Sequence, residues 1–248
     1  IHIYRTNIWR SSYINDEGIK WLPYLISNII SIIRKERPHL VYITGGPFFP
    51  LIIGPIIKLF FQLPYVVDLR DPWKLAKRGI PIRGLKARLG WLLTNVAEPI
   101  VLRYAAKVIC ATDTLREEYQ SVYSGKSEKF FTITNGYDPD DFSTIVPNHF
   151  AEFTIVYAGK FRTSEAFRNP VPFFYALKML LQERGLKIRF IHIGRKEEEV
   201  INLAKQIGIF KFIEIIGPCS YKDTLAYTKG ANLLLLIGGG QKTEQTGK

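Results

Sequence analysis

The sequence predicts an α/β protein of two doubly wound parallel-sheet domains, both incomplete. Three observations predict it. Short apolar runs alternate with longer stretches of helical periodicity along the whole chain. The short runs of the second half are continuously apolar, as parallel strands covered on both faces are. The alternation pauses once, at the polar stretch NGYDPDDFSTIVPNH (135–149), rich in Asp, Asn and Pro, and then resumes. The expected domains are therefore 1–147 and 148–248.

The elements follow in order. KWLPYLISNIISIIRKE carries Leu22, Leu25, Ile26, Ile29, Ile30, Ile32 and Ile33 at helical spacing. PHLVYIT reads as a strand, LIIGPIIKLFF as a short buried helix and PYVVDLR as the next strand. A long basic amphipathic helix covers 82–106, with Leu85, Leu89, Leu92 and Val96 on one face. AKVICAT is a strand, and TLRE (Thr114 to Glu117) forms a capping box that opens the next helix. KFFTIT is a strand ending at the turn signal Asn135-Gly136. The second series reads strand FTIVYAG, helix 169–184, strand KIRFIHIG, helix 196–207, strand FIEIIG, helix 221–229 and strand ANLLLLIG.

Composition narrows the class. Hydrophobic residues make up 47% and charged residues 23% of the 248, the balance of a globular chain. No apolar run reaches the roughly 20 residues that span a bilayer. Cys110 and Cys219 sit singly, without a CxxC or disulfide framework, which fits a reducing cytoplasm. The formal charge of +12 is spread over both halves, with 19 basic against 13 acidic residues in 1–148 and 15 against 9 in the rest. Between Pro72 and Ala97, however, stand Lys74, Lys77, Arg78, Arg83, Lys86 and Arg88 and no acid. Such a run attracts phosphates, on nucleotides or lipid headgroups. Ile at position 1 and an ending at QTGK give the sequence the look of a piece of a longer chain.

Several chemistries lack their motif. GGGQKTEQTGK misses the phosphate-loop spacing because residue 242 is Lys, and GxGxxG is absent. His2, His39, His149 and His192 are far apart, so no metal site is expected, and His192 inside an apolar strand reads as a satisfied core residue. No GxSxG elbow or Cys/His pair offers a nucleophile. In doubly wound sheets ligands bind beyond the carboxyl ends of strands. Glycine and charge recur there: Gly45–Gly46, Arg70–Asp71, Thr112–Asp113, Asn135–Gly136, Gly159–Lys160, Gly194–Arg195, Gly217–Pro218 and Gly238. In YAGKFRTSEAFRNP, Lys160, Arg162 and Arg168 follow a strand-end glycine. They form either a solvated basic loop or a clamp that neutralises a diphosphate where negative charge develops. In IIGPCSYKD, Ser220 and Asp223 make a helix cap or present backbone groups to a nucleobase edge. The basic helix either solvates its charged side or, with Trp73 and Trp91 near it, contacts an anionic membrane surface.

Taken in order, VVDLRDPW, VICATDTLREEY, ITNGYDPDDF, IVYAGKF, FIHIG and IIGPCSYKDTLAYTKGANLLLLI resemble the GT-B glycosyltransferases, specifically the retaining enzymes of family 4. The resemblance implies two Rossmann-like domains facing a cleft, with the acceptor on the N-terminal side and a nucleotide-diphosphate sugar on the C-terminal side. By position it implies Arg70 and Asp71 as catalytic, and Gly159, Lys160 and Arg168 as diphosphate-binding. Gly194, Arg195, Ile216, Gly217, Pro218 and Ser220 fall where such enzymes hold the nucleotide. Transfer would proceed with retention through an oxocarbenium-like transition state, with no metal or cofactor beyond the donor itself. Three departures stand out: the opening strand and Gly-rich acceptor loop usual in the family are lacking, Lys160 replaces the usual Arg, and Glu244 is out of register with the first of the family's paired glutamates. The implied role is building surface polysaccharide or glycolipid on a glycan or lipid-linked acceptor, in the cytoplasm at the inner face of a membrane, without nucleic acid. Competing readings are a sugar-nucleotide epimerase of the same fold and a truncated, non-catalytic module that binds a nucleotide or an anionic surface.

Overall fold

In a computed structural model of the protein, residues 2–8, 17–75, 84–163, 168–182 and 184–237 are described. The expectations on Lys77, Arg78, Arg83, Gly238 and Glu244 lie outside them. The chain divides into two compact units, one running to Asn135 and the other starting at Gly136.

The first unit holds α1 (Glu17–Glu36), β1 (Val41–Thr44), a 3-10 turn (Phe49–Ile52) leading into α2 (Ile53–Phe61), β2 (Tyr65–Leu69), α3 (Leu85–Tyr104), β3 (Lys107–Cys110), α4 (Asp113–Val122) and β4 (Phe130–Thr132). Its four strands are parallel in the order β1-β2-β3-β4. Tyr65, Val67 and Leu69 of β2, with Val108, Cys110 and Phe130, form the floor on which α3 and α4 lay Val101, Leu102, Leu115 and Tyr119. Ile33, Ile53 and Ile57 from α1 and α2 pack beside Val41 and Ile43 of β1. Gly54 is required there, since a Cβ would sit 2.4 Å from the Tyr65 ring. On the opposite face Tyr42 and Phe131 are about half exposed. The outer strands are thus open on this face among the described residues, while Asp68 and Ile109 of the central strands are buried on it.

Two further expectations change. The cap of α4 is Thr112 rather than Thr114: Thr112 is still extended, and its Oγ1 accepts from the Leu115 amide at 3.2 Å. The leucine face of α3 is not its core face. Thr94, Ala97, Glu98, Val101 and Leu102 are buried, while Leu85, Leu89, Leu92 and Val96 are exposed. The core face is set by Glu98, fully buried, whose carboxylate accepts from the Lys74 amide (2.7 Å), Tyr119 Oη (3.1 Å) and Tyr123 Oη (2.9 Å). Burial raises this carboxyl above its ordinary pKa, against the three donors that favour its charge.

The second unit contains α5 (Pro139–Ser143), β5 (Phe153–Ala158), α6 (Val171–Gln182), β6 (Ile188–Ile193), α7 (Glu198–Ile207), β7 (Ile213–Ile215), α8 (Tyr221–Gly230) and β8 (Leu233–Leu234). The sheet is parallel in the order β7-β6-β5-β8. Here both faces are covered: α6 and α7 pack on Ile155, Tyr157, Ile188 and Phe190, and Tyr227 of α8 on Val156, Ile191 and Ile193. The run ANLLLLIG yields only the two-residue β8, with both leucines exposed. The division at Asn135 precedes the expected residue 147 because the Asp-rich stretch is tied to α8. Lys229 Nζ donates to the carbonyls of Phe142 (2.8 Å) and Ile145 (2.9 Å), and Tyr221 Oη to Asp141 (3.1 Å).

Replacing Glu98 by Ala strands two tyrosine hydroxyls and an amide in the core. Urea titration is expected to show a loss of about 3 kcal/mol, with Glu98→Gln losing less.

Candidate functional site

Parallel pairing in the second unit sets three strand-end turns side by side. β5 and β6 remain in register up to Ala158 opposite Ile193, and the Gly159 amide extends the ladder to the Ile193 carbonyl at 2.9 Å. On the other side of β6, the Ile216 amide donates to the His192 carbonyl at 3.0 Å. Gly159, Gly194 and Ile216 are therefore neighbours across the edge.

The two glycines meet backbone to backbone. A Cβ on Gly194 would lie 2.2 Å from the Gly159 carbonyl oxygen and 2.9 Å from His192 Nε2. His192 is buried, and its Nε2 lies 2.8 Å from that same carbonyl, so Nε2 carries the proton and donates it. His192 is thus the satisfied core residue that its apolar surroundings predict, and it also fixes the turn. Burial holds its pKa below the ordinary imidazole value, outweighing the Gly159 bond and the Glu197 charge that favour protonation.

Beyond the turn, Tyr157 stacks on Phe161 with centroids 4.3 Å apart and donates to the Lys160 carbonyl at 3.1 Å. This leaves the Lys160 side chain half exposed, 3.4 Å from Glu197 Oε1. The Arg168 carbonyl accepts from the Arg162 amide at 2.9 Å, and Arg168 itself has a left-handed backbone (φ 71°). Arg195 is exposed, Gly217 turns with φ 88° and Pro218 follows it at the surface. Ser220 is the cap of α8, its Oγ accepting from the Asp223 amide at 3.1 Å and bonding Asp223 Oδ2 at 2.6 Å. Glu197 was not singled out by sequence reasoning, although it opens the acidic run 197–199 just past a strand end.

In the first unit, Arg70 and Asp71 follow β2. Arg70 Nε donates to buried Asp68 Oδ2 at 2.8 Å, and its Nη1 reaches the Ile133 carbonyl (3.2 Å) and Asn135 Oδ1 (3.0 Å). The guanidinium is therefore a strap from the end of β2 to the segment beyond β4, while Asp71 is exposed. Asp113 at the start of α4 accepts from Thr132 Oγ1 at 2.7 Å and pairs with Arg116 at 3.1 Å. Asn135 escaped the sequence reading as a partner of Arg70, since nothing in its spacing signals a contact across β3; Asp68 stands only two residues before Arg70 on the same strand. Among the described residues no cluster of three or more metal-ligating side chains occurs.

Two outcomes are expected. Gly194→Ala forces backbone from backbone, and should cost about 2 kcal/mol or more of stability in denaturant titration. The His192 contribution to stability is fully present above about pH 6.5 and is lost as pH falls through the lowered folded value, because the unfolded chain binds the proton first. The midpoint of unfolding should decline over that window, and His192→Gln should flatten the decline.

Known structures share this architecture. WaaG, a glycosyltransferase involved in lipopolysaccharide biosynthesis, superposes with a TM-score of 0.61 at 14% identity, covering 96% of this chain and 62% of that one. The apo form of WaaB, a lipopolysaccharide outer core galactosyltransferase, gives 0.58 at 13%, covering 92% and 57%. An α,α-trehalose 6-phosphate synthase from Burkholderia multivorans gives 0.57 at 11%, covering 90% and 56%. At such identities the likeness is one of fold, and this chain spans under two thirds of the length of each. No protein of curated function matches it. The sequence pattern of Glycosyltransferase Family 4 matches residues 3–141, more than half of the 248. The two parallel-sheet units have the GT-B architecture, and the chain belongs to glycosyltransferase family 4.

Proposed function

We propose that the protein transfers a sugar from a nucleotide-diphosphate donor to a glycan or lipid-linked acceptor, with retention, in the synthesis of surface polysaccharide or glycolipid. The observation that carries this reading is the row of strand-end turns on β5, β6 and β7, with Lys160 beside them in a half-exposed contact with Glu197. Such an edge offers a nucleotide close backbone approach at Gly159, Gly194 and Gly217, and a cation for its phosphates.

In this reading the diphosphate draws Lys160 from Glu197 and meets Arg168 across the same loop. Gly194, Arg195 and the Ile216–Ser220 turn hold the nucleoside, with Ser220 keeping the N-terminus of α8 in place. The bond from the anomeric carbon to the diphosphate oxygen breaks through an oxocarbenium-like state, and the acceptor oxygen bonds to the same face. The acceptor proton passes to the departing diphosphate oxygen. Lys160 and Arg168 neutralise the charge that develops there, so the step is written without a metal. Asp71 belongs to the acceptor side, positioned by the Arg70 strap. The work is assigned to the cytoplasm, at the inner face of a membrane. A sugar-nucleotide epimerase would need a histidine or carboxylate to abstract a ring proton. His192 is buried and already bonded, which disfavours that reading.

Calorimetric titration with UDP and GDP tests the donor site. One diphosphate is expected to bind, about tenfold more weakly for each cation removed in Lys160→Ala and Arg168→Ala. Binding unchanged in the double variant would remove those residues from the site, and no binding of either diphosphate would remove the donor reading from this chain.

A further inference from the structure

The amino-terminal edge of the first sheet, opposite the turns that carry Arg70 and Asp71, holds a cavity that sugar transfer does not use. There α3 ends at Tyr104 just before β3, and the 3-10 turns of Ser124–Lys129 lead into β4. Between them lies a pocket of about 310 Å³, walled by Pro99, Leu102, Val122, Tyr123 and Phe130. Tyr119, Tyr123 and Phe130 form one stacked cluster, with ring centroids 6.0 to 6.2 Å apart. Aromatic walls favour a flat aromatic guest, which gains ring–ring contact beyond the area it buries. The volume is that of a small ligand pocket, with room for roughly one or two fused rings.

Charge selects the rest of the guest. Arg103 and Lys126 also line the pocket, and both are exposed. Among the described residues neither pairs with a carboxylate. Lys126 Nζ and Lys129 Nζ donate to the Arg103 carbonyl at 3.3 and 2.8 Å, and Lys129 also to the Leu102 carbonyl at 3.3 Å. They cap the end of α3, but that task needs less charge than is present. A helix end carries about half a negative charge, against two ammoniums and a guanidinium here. Even with Glu128 beside them, positive charge is left over. Lys129 feels the excess: its pKa is held below the ordinary value by burial first, then by the Lys126 charge and last by Lys107, against Glu128. An apolar, ring-walled slot with surplus cations at its rim fits a small aromatic anion.

The pocket wall continues into the core. Tyr123 Oη donates to Glu98, and the same carboxylate accepts from Tyr119 Oη and from the Lys74 amide. Tyr119 Oη in turn accepts from the Trp73 amide at 3.0 Å, and the Trp73 ring stacks on Phe48, in the turn after β1, at 5.6 Å. A guest resting on Tyr123 therefore bears on the groups that hold the segment just after Asp71. We propose that this pocket is an effector site for a small aromatic anion, and that filling it stiffens residues 71–74 through Tyr123 and Glu98. The proposal rests on the glycosyltransferase reading only for what that segment does, which is to face the acceptor.

The test is calorimetric titration of the chain with 2-naphthoate, with its neutral isostere 2-naphthylmethanol and with decanoate, an acyl anion without a ring. 2-Naphthoate is expected to saturate one site with a Kd of about 1 mM or tighter. The neutral compound should bind about tenfold more weakly, and decanoate about fivefold. Arg103→Gln and Lys126→Gln should each weaken 2-naphthoate about tenfold. Both positions are exposed, so circular dichroism should show the variants folded. In hydrogen exchange followed by NMR, the Trp73 and Lys74 amides should slow about fivefold when the pocket is filled. Tyr123→Phe keeps the ring and drops the hydroxyl, so it should still bind 2-naphthoate and lose that slowing. No saturable binding, equal binding of the neutral or acyl compound, or binding indifferent to both cation substitutions would each overturn the proposal. So would amide exchange unchanged by a filled pocket, or a slowing that survives in Tyr123→Phe. UDP and GDP titrated into the same samples read the donor site separately. Lost 2-naphthoate binding with retained diphosphate binding sinks only the effector pocket, and the reverse sinks only the donor site.

Discussion

The register of β5 against β6 is the constraint on which the candidate donor site depends. Because the pairing runs unbroken to Ala158 and Ile193, the Gly159 amide is committed to the ladder, and its carbonyl is left for His192. A histidine buried among aromatic rings needs one hydrogen bond, and the turn needs one fixed carbonyl; each satisfies the other. Gly194 then has no room for a side chain, and the Tyr157–Phe161 stack directs Lys160 outward. The position of the cation is thus decided by strand pairing and core packing rather than by the exposed loop that bears it.

The first unit solves a related problem differently. Its strands also end in charge, but Arg70 faces inward along the edge and spends its donors on Asp68, Ile133 and Asn135. A planar guanidinium can bond in several directions from one rigid fork, which a lysine ammonium on its flexible stem cannot reproduce. The sequence VVDLRDPW therefore runs a buried strand into charges for two reasons. Asp68 and Arg70 bind strand ends together, and Asp71 is what the edge presents to solvent.

How legible this was depends on the length of the signal. Every strand and helix of the second unit after α5 could be read from apolar runs and helical spacing, because six- to twelve-residue patterns such as FTIVYA and VPFFYALKMLLQ integrate many weak preferences. The strand-end glycines were legible for the same reason. What escaped were pairings between distant residues: Lys160 with Glu197, Arg70 with Asn135, Lys229 with the carbonyls that pull residues 136–145 into the second unit. Helical periodicity also identifies a stripe without saying what it faces. In α3 the polar-looking side, with Thr94 and Glu98, went inward because two tyrosines and an amide awaited that carboxylate, and the leucines were left outside.

The two-residue β8 has a colloidal consequence. It pairs with β5 on one side, and Leu233, Leu234 and Leu236 are exposed along it. A short apolar edge is a template to which another chain can add a strand. The net charge of +12 opposes such addition, through a repulsion that acts over roughly 10 Å in 0.1 M salt and only about 3 Å in 1 M. High-salt buffers, often chosen to keep basic proteins off nucleic acid, therefore weaken the repulsion that opposes strand addition at β8.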